Sequence, residues 1–352
     1  MTETTSRPRA SAPPIRVPSQ RRTAGARRAV LPLRRLEPWR DSLLLGLLNH
    51  GVLLAVAPLD PGPWGLVLLA VPLALGLGTG TLTVLHDAGH RMFAKRAWPN
   101  VLAVQLAVPA GLWVGHWTLK HRVHHKLLQV YPLDEATRSS SLLRLHPEAA
   151  SLPVHRFQHL YAWFMYSLAW AGELKSQLTY LVTGVVTGAE TPGARARIGS
   201  FVLEKALWVV VLLPYTRAIG VVHMLVLLLV AETLASLLAG VTTVVGHVNV
   251  GLEPEPGLPG AQWTAHIVRT TASFNTRSVL VRFWTGGLTH HLAHHLRPVA
   301  LRSELPRLHD TAVQDVVRST GVAQSEYPTF SAAVAAHYRR LRELGTPAPA
   351  AP

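Results

Sequence analysis

The sequence predicts an all-helical integral membrane protein, with four transmembrane helices in two hairpins and a cytoplasmic helical cap that carries clusters of histidine. Three observations lead there. Hydrophobic residues make up 49% of the 352-residue chain against 15% charged ones, a balance suited to faces turned toward lipid. The apolar residues gather into long runs, at 42–59, 64–85 and about 200–247. The net charge of +15 is unevenly spread, since Arg7, Arg9, Arg16, Arg21, Arg22, Arg27, Arg28, Arg34, Arg35 and Arg40 all precede the first run.

Residues 1–38 have no apolar period and are rich in Arg, Pro, Ser and Thr, which predicts a disordered cytoplasmic tail. Its arginines are not interleaved with aromatic residues on one module, so they suit an anionic inner leaflet and not nucleic acid. No cleavage site follows Arg21-Arg22 or Arg27-Arg28, which sets aside a secretion signal. Runs 42–59 and 64–85 each approach the roughly 20 residues needed to cross a bilayer. Their linker DPGP holds no Lys or Arg, so it lies outside and His86 returns to the cytoplasmic side. A second hairpin over about 200–247 ends at His247, again inside, although Glu204, Lys205 and Glu232 interrupt its apolar character. Residues 101–115 are short for a span, and 157–186 carry Glu173 and Lys175 centrally. Both read as interfacial or protein-buried helices. The alternating Gly76, Gly78 and Gly80 read as close helix packing. A membrane domain over 39–300 is followed by a cytoplasmic helical region over 301–352 with a Pro/Ala end.

The chemistry lies in histidine. The chain has 19 His and no Cys, which excludes thiolate and iron–sulfur ligation. Eight His fall into HDAGH (His86, His90), HRVHH (His121, His124, His125) and HLAHH (His291, His294, His295). Imidazoles at i and i+4 share one helix face about a turn apart and can grip one ion. An i, i+3, i+4 set can offer a further ligand to a second ion. One such cluster can be an accidental polar turn. Three on the same predicted membrane face point to a metal centre, and eight imidazoles suit two ions of iron, zinc or copper. In GLTHHLAHHLRP the HxxHH register of the second cluster assigns His291, His294 and His295, leaving His290 at the edge of the arc. His247, at the level of His86 and His90, is the favoured ninth ligand over His266, His116 and His223.

At these residues the chain resembles the membrane fatty acid desaturase superfamily, the histidine-box di-iron group that includes acyl hydroxylases. HDAGH resembles the first box, HRVHH the second and HLAHHLRP the third. GHVN at 246–249, WTAHIVRTTASF and FWTGGL resemble the stretch leading into the third box. The resemblance implies two iron ions held by His86, His90, His121, His124, His125, His291, His294 and His295, with His247 joining them. It implies O2 as co-substrate and a double bond introduced into an acyl chain of a lipid or thioester at the plasma membrane, on its cytoplasmic side. Without an HPGG-like haem motif, electrons are expected from a separate ferredoxin with its reductase. Three other readings compete: di-iron hydroxylation of a lipid, isoprenoid or specialised acyl chain; a zinc membrane hydrolase, which needs fewer imidazoles; and a non-catalytic metal sensor.

Overall fold

The computed structural model describes residues 36–346, so most of the Arg-rich tail and the end of the Pro/Ala segment lie outside the described residues. The first helix, α1 (Glu37–Leu59), begins ahead of its apolar run. Pro38 sits in its first turn, where the missing N–H costs nothing. That turn is held from far along the chain. Glu37 accepts the Ser303 amide at 3.0 Å, and Asp41 pairs with Arg302 at 2.5 Å. Helix α2 (Pro63–Gly80) runs without a break through a π-helical turn, Thr81–Leu85, into α3 (His86–Gly89). A π-turn widens the helix by one residue and often marks a functional position. Here it immediately precedes the HDAGH histidines.

Helices α4 (Ala97–Ala107) and α5 (Val114–Lys126) follow, then α6 (Gln158–Ser167) and α7 (Ala169–Thr183), and then the long pair α8 (Ala194–Ile219) and α9 (Val221–Val244) joined by Gly220 alone. Among the described residues, three helices are long and apolar enough to cross a membrane: Glu37–Leu59, Pro63–Gly89 and Val221–Val244. The protein is therefore read as a membrane protein. The fourth expected span, α8, is a helix of 26 residues but also carries Arg195, Arg197, Glu204, Lys205 and Arg217.

One stripe of α2 (Leu66, Ala70, Leu73, Leu77) is buried against α1 and α9, the latter contributing Leu227, Ala231 and Ala235. Leu43, Leu47 and Leu54 of α1, Leu68 of α2, and Leu225 and Leu229 of α9 face outward, as lipid-facing residues do. Between such helices association relies on close packing, which small residues permit. The three alternating glycines serve this. Gly76 lies against Asn49 of α1, Gly78 against Ala235 and Leu238 of α9, and Gly80 against Val108.

The remaining elements are α10 (Trp263–Thr270), β1 (Ala272–Phe274), α11 (Val279–Trp284), α12 (His291–Leu296), α13 (Leu305–Leu308), α14 (Gln314–Thr320), β2 (Ser325–Tyr327) and α15 (Phe330–Gly345). The all-helical expectation needs one correction, because β1 and β2 pair in parallel, Ala272 with Ser325 through Phe274 with Tyr327. The aromatic residues in both segments favour extended backbone, and β1 is wholly buried. Its Ala272 amide also bonds the Gly246 carbonyl at 2.9 Å, tying the turn after α9 to β1. The two intermediate segments are short packed helices. α4 buries Ala103, Val104 and Ala107 against α1 and α8, and residues 157–186 split into α6 and α7 at Leu168.

Candidate metal centre

Four separate pieces of chain deliver the histidines. His86 and His90 come from the end of the long α2–α3 helix. His121, His124 and His125 lie on the last turns of α5. His247 sits in the turn after α9, and His291, His294 and His295 lie on the short α12. Two glycines let these pieces meet. Gly286 precedes the third cluster with φ +62°, and a Cβ there would strike the backbone carbonyl of Leu82 in the π-turn. A side chain at Gly246 would overlap the His291 ring.

The imidazoles converge into two groups. In the first, ligand nitrogens of His86, His90, His121, His125 and His294 all lie within 4.8 Å of one another; in the second, His124, His247 and His295 do the same. Within the first group the Nε2 atoms form a chain: His90 to His121 at 2.8 Å, His121 to His125 at 3.2 Å, His125 to His294 at 3.1 Å and His294 to His86 at 3.0 Å. A neutral Nε2 either donates one proton or accepts on one lone pair. At most two of these four contacts can therefore be well-formed hydrogen bonds, whereas one central cation satisfies every lone pair at once. The donor set is all nitrogen, which fits iron of the borderline first-row metals and not a hard cation that wants oxygen.

In the second group the tautomers are set from outside. Asp134 is buried, and each of its carboxylate oxygens lies 3.0 Å from Nδ1 of His124. The Gln129 amide and the Thr137 hydroxyl also donate to Asp134, at 2.8 and 3.3 Å. His247 donates from Nδ1 to the Thr270 carbonyl at 3.1 Å, and its own carbonyl accepts from the Gln129 side chain. With both protons on Nδ1, the Nε2 lone pairs of His124 and His247 turn inward, the arrangement that metal-bound histidines need. His295 brings its Nε2 to 3.2 Å from that of His247. His291 lies outside the two groups of converging nitrogens but beside the second, its ring 4.4 Å from His247 and 4.9 Å from His295. Its Nδ1 is buried with no hydrogen-bond partner among the described residues. The groups adjoin, with the rings of His125 and His295 4.6 Å apart.

Electrostatics keep these bases ready. Burial first, then the neighbouring imidazoles, holds His121, His125, His291, His294 and His295 well below the usual 6.5, and His247 falls to about 3 for the same reasons. All are neutral at pH 7. Burial would raise the Asp134 carboxyl, but attraction to the His124 Nδ1–H, the hydrogen bond from it and that from the Gln129 amide outweigh burial and hold the carboxyl below its ordinary value. His290 stands apart. Its Nδ1 meets the Thr289 hydroxyl at 2.9 Å, and it lines a polar cleft of about 400 Å³ with His309, Asp310 and Glu326. Of the other candidates for a ninth ligand, His266 bonds the Leu128 carbonyl and His116 bonds Glu173, while His223 at the start of α9 bonds the Ile219 carbonyl at the end of α8. Asp134, Gln129 and the Thr270 carbonyl escaped the reading of the sequence.

Residues 62–328 match the model of the fatty acid desaturase family. The chain belongs to that family. The match bears out the resemblance drawn from the three boxes, and it makes the protein an oxidoreductase. Among curated proteins it is similar to the sn-1 linoleoyl-lipid 6-desaturase of Synechocystis, 26% identical over 283 residues that cover 78% of this chain and 79% of the relative. The protein of the same name from Arthrospira platensis is 24% identical, covering 80% and 78%. The acyl-lipid (8-3)-desaturase B of Dictyostelium discoideum is 23% identical, covering 75% and 61%.

Proposed function

We propose that this desaturase introduces a double bond into the acyl chain of a membrane lipid, using two iron ions, dioxygen and electrons from a separate ferredoxin-type carrier. The observation that carries the proposal is the convergence of imidazoles from four chain segments into two adjoining groups in a family member. His86, His90, His121, His125 and His294 would hold one iron. His124, His247 and His295, with His291 beside them, would hold the other. The relatives share an acyl-lipid substrate in their names and differ in bond position, so the proposal takes the shared class. In this reading α8 completes a fourth span, and the boxes lie on the cytoplasmic side of the plasma membrane.

Bound iron supplies reductive activation of dioxygen and the power to remove two hydrogens from adjacent methylenes, with two electrons and two protons completing reduction of O2 to water. The chain's residues prepare that chemistry. Asp134 and the Thr270 carbonyl keep the protons of His124 and His247 on Nδ1. Trp117 stacks on His121, with ring centroids 4.5 Å apart, and Leu85, Leu128 and Leu292, each within or close to a box in the sequence, are fully buried. Such apolar walls exclude water from the boxes. The test is expression in a bacterial host with lipid profiling. A new double bond in glycerolipid acyl chains, dependent on O2 and a reduced carrier, is expected. A product that keeps an oxygen atom, or one formed without O2, would overturn the proposal.

A further inference from the structure

Glu173, Glu204 and Lys205 stand inside apolar stretches, where an unpartnered charge is costly. The fold joins all three. Lys205 donates to the Gly111 carbonyl and, at 2.7 Å, to Gln177 Oε1. Gln177 in turn donates to Glu173 at 3.3 Å. Glu173 bonds Lys120 at 2.8 Å and His116 at 3.1 Å, both on α5. The first turn of α5 is held by Glu204. Trp113 gives this helix no side-chain cap, so its first amides need acceptors from elsewhere. Glu204, 3% exposed on α8, accepts from Val114 at 2.7 Å and Gly115 at 3.4 Å. The same face of α8 grips the loop leading into α5, with Ser200 accepting from the Trp113 indole at 3.2 Å and Trp208 donating to the Pro109 carbonyl at 3.0 Å.

We infer that Glu204 is a positioning residue, and that the network it heads sets the angle at which α5 presents its three histidines to the two metal groups. This rests on the iron reading above. At 1.5 Å per residue, His125 lies about 16 Å along the helix from Val114, so a tilt of about 5° at the capped end moves it by more than 1 Å. Both groups draw on α5, through His121 and His125 in one and His124 in the other. One loosened cap therefore disturbs both ions, and a misplacement of about 1 Å costs on the order of a hundredfold in turnover.

The test compares full-length protein in lipid nanodiscs: wild type, Glu204→Ala, Glu204→Gln and, as a control between α6 and α15, Tyr166→Phe, which removes a buried 2.8 Å bond to His337. Fe(II) titration and melting of the iron-free protein are measured for each. Glu204→Ala should lose about tenfold or more in affinity for both ions. Glu204→Gln, which keeps an oxygen for the Val114 amide, should recover most of it. Tyr166→Phe should keep wild-type affinity whatever its melting loss. If Glu204→Ala does not fold, Gln177→Leu replaces it, cutting the link between α8 and α7, and should also weaken iron binding. Wild-type affinity in the Ala or Leu variant, or a loss in Tyr166→Phe as large as theirs for the same melting loss, overturns the inference. A wild type that binds no iron would instead defeat the iron reading on which it rests.

Discussion

Replacing Asp134 with Asn changes one atom of the side chain and removes the charge that orients His124. Both carboxylate oxygens lie 3.0 Å from Nδ1 of that imidazole, and the group is buried. A hydrogen bond to a charged group contributes about 1.5–3 kcal/mol. Spread over a binding equilibrium, at about 1.4 kcal/mol per decade, that is roughly tenfold to a hundredfold. Removal of a ligand's outer partner ordinarily costs metal affinity on the same scale, about 10–100-fold. The amide also brings an NH2 that can face Nδ1 and push the proton to Nε2, the nitrogen needed for metal. Asp134→Asn should therefore bind the ion of the His124–His247–His295 group about 10–100-fold more weakly, while the five-histidine group keeps its ion. Titration with Fe(II) against a competing chelator resolves the two. Equal retention of both ions by the variant would refute the view that Asp134 sets the His124 tautomer.

Three other outcomes are expected. His291→Ala should lose iron and product, whereas His290→Ala, which alters only the cleft shared with His309 and Glu326, should keep most of both; the reverse result would move the register of the third box by one residue. His291, His294 and His295 are held well below 6.5, so below that pH the unfolded chain takes up protons that the folded one refuses. The iron-free protein should then be most stable above pH 6.5 and lose stability as pH falls, by about 1.4 kcal/mol per unit for each such group; a melting temperature unchanged between pH 7.5 and 5.5 would contradict this. For topology, a cysteine placed at Asp60 should react only with reagent on the outer face and one at Lys126 only on the cytoplasmic face, and labelling of both from one side would sink the two-hairpin arrangement.

Much of the site was legible because histidine clustering is a local signal. The i, i+4 pair in HDAGH and the two HxxHH sets needed only helical geometry. His247 needed only the level at which an apolar run ends. Asp134 was not legible in this way. It reaches His124 because residues 127–134 fold back through tight turns, with Gln129 at φ +54°, and no period in the sequence encodes that return. Residues 37–41, ahead of the apolar run, join α1 for a related reason, since Glu37 and Asp41 are held by Ser303 and Arg302, more than 260 residues away. Glu173, Glu204 and Lys205 stood out as misfits in apolar runs, but their partners lie on other helices and emerge only from the packing. Strands of three residues, as in β1 and β2, are too short for alternation to register.

The central claim is that the two imidazole groups hold two irons in one catalytic unit. The direct measurement is iron per chain in the purified full-length protein, combined with Mössbauer spectroscopy after loading with ⁵⁷Fe. Two irons per chain in nitrogen-rich environments, both lost or perturbed in His125→Ala because that ring adjoins both groups, is the result expected. A single tightly bound zinc, or one iron per chain indifferent to that substitution, would contradict the account.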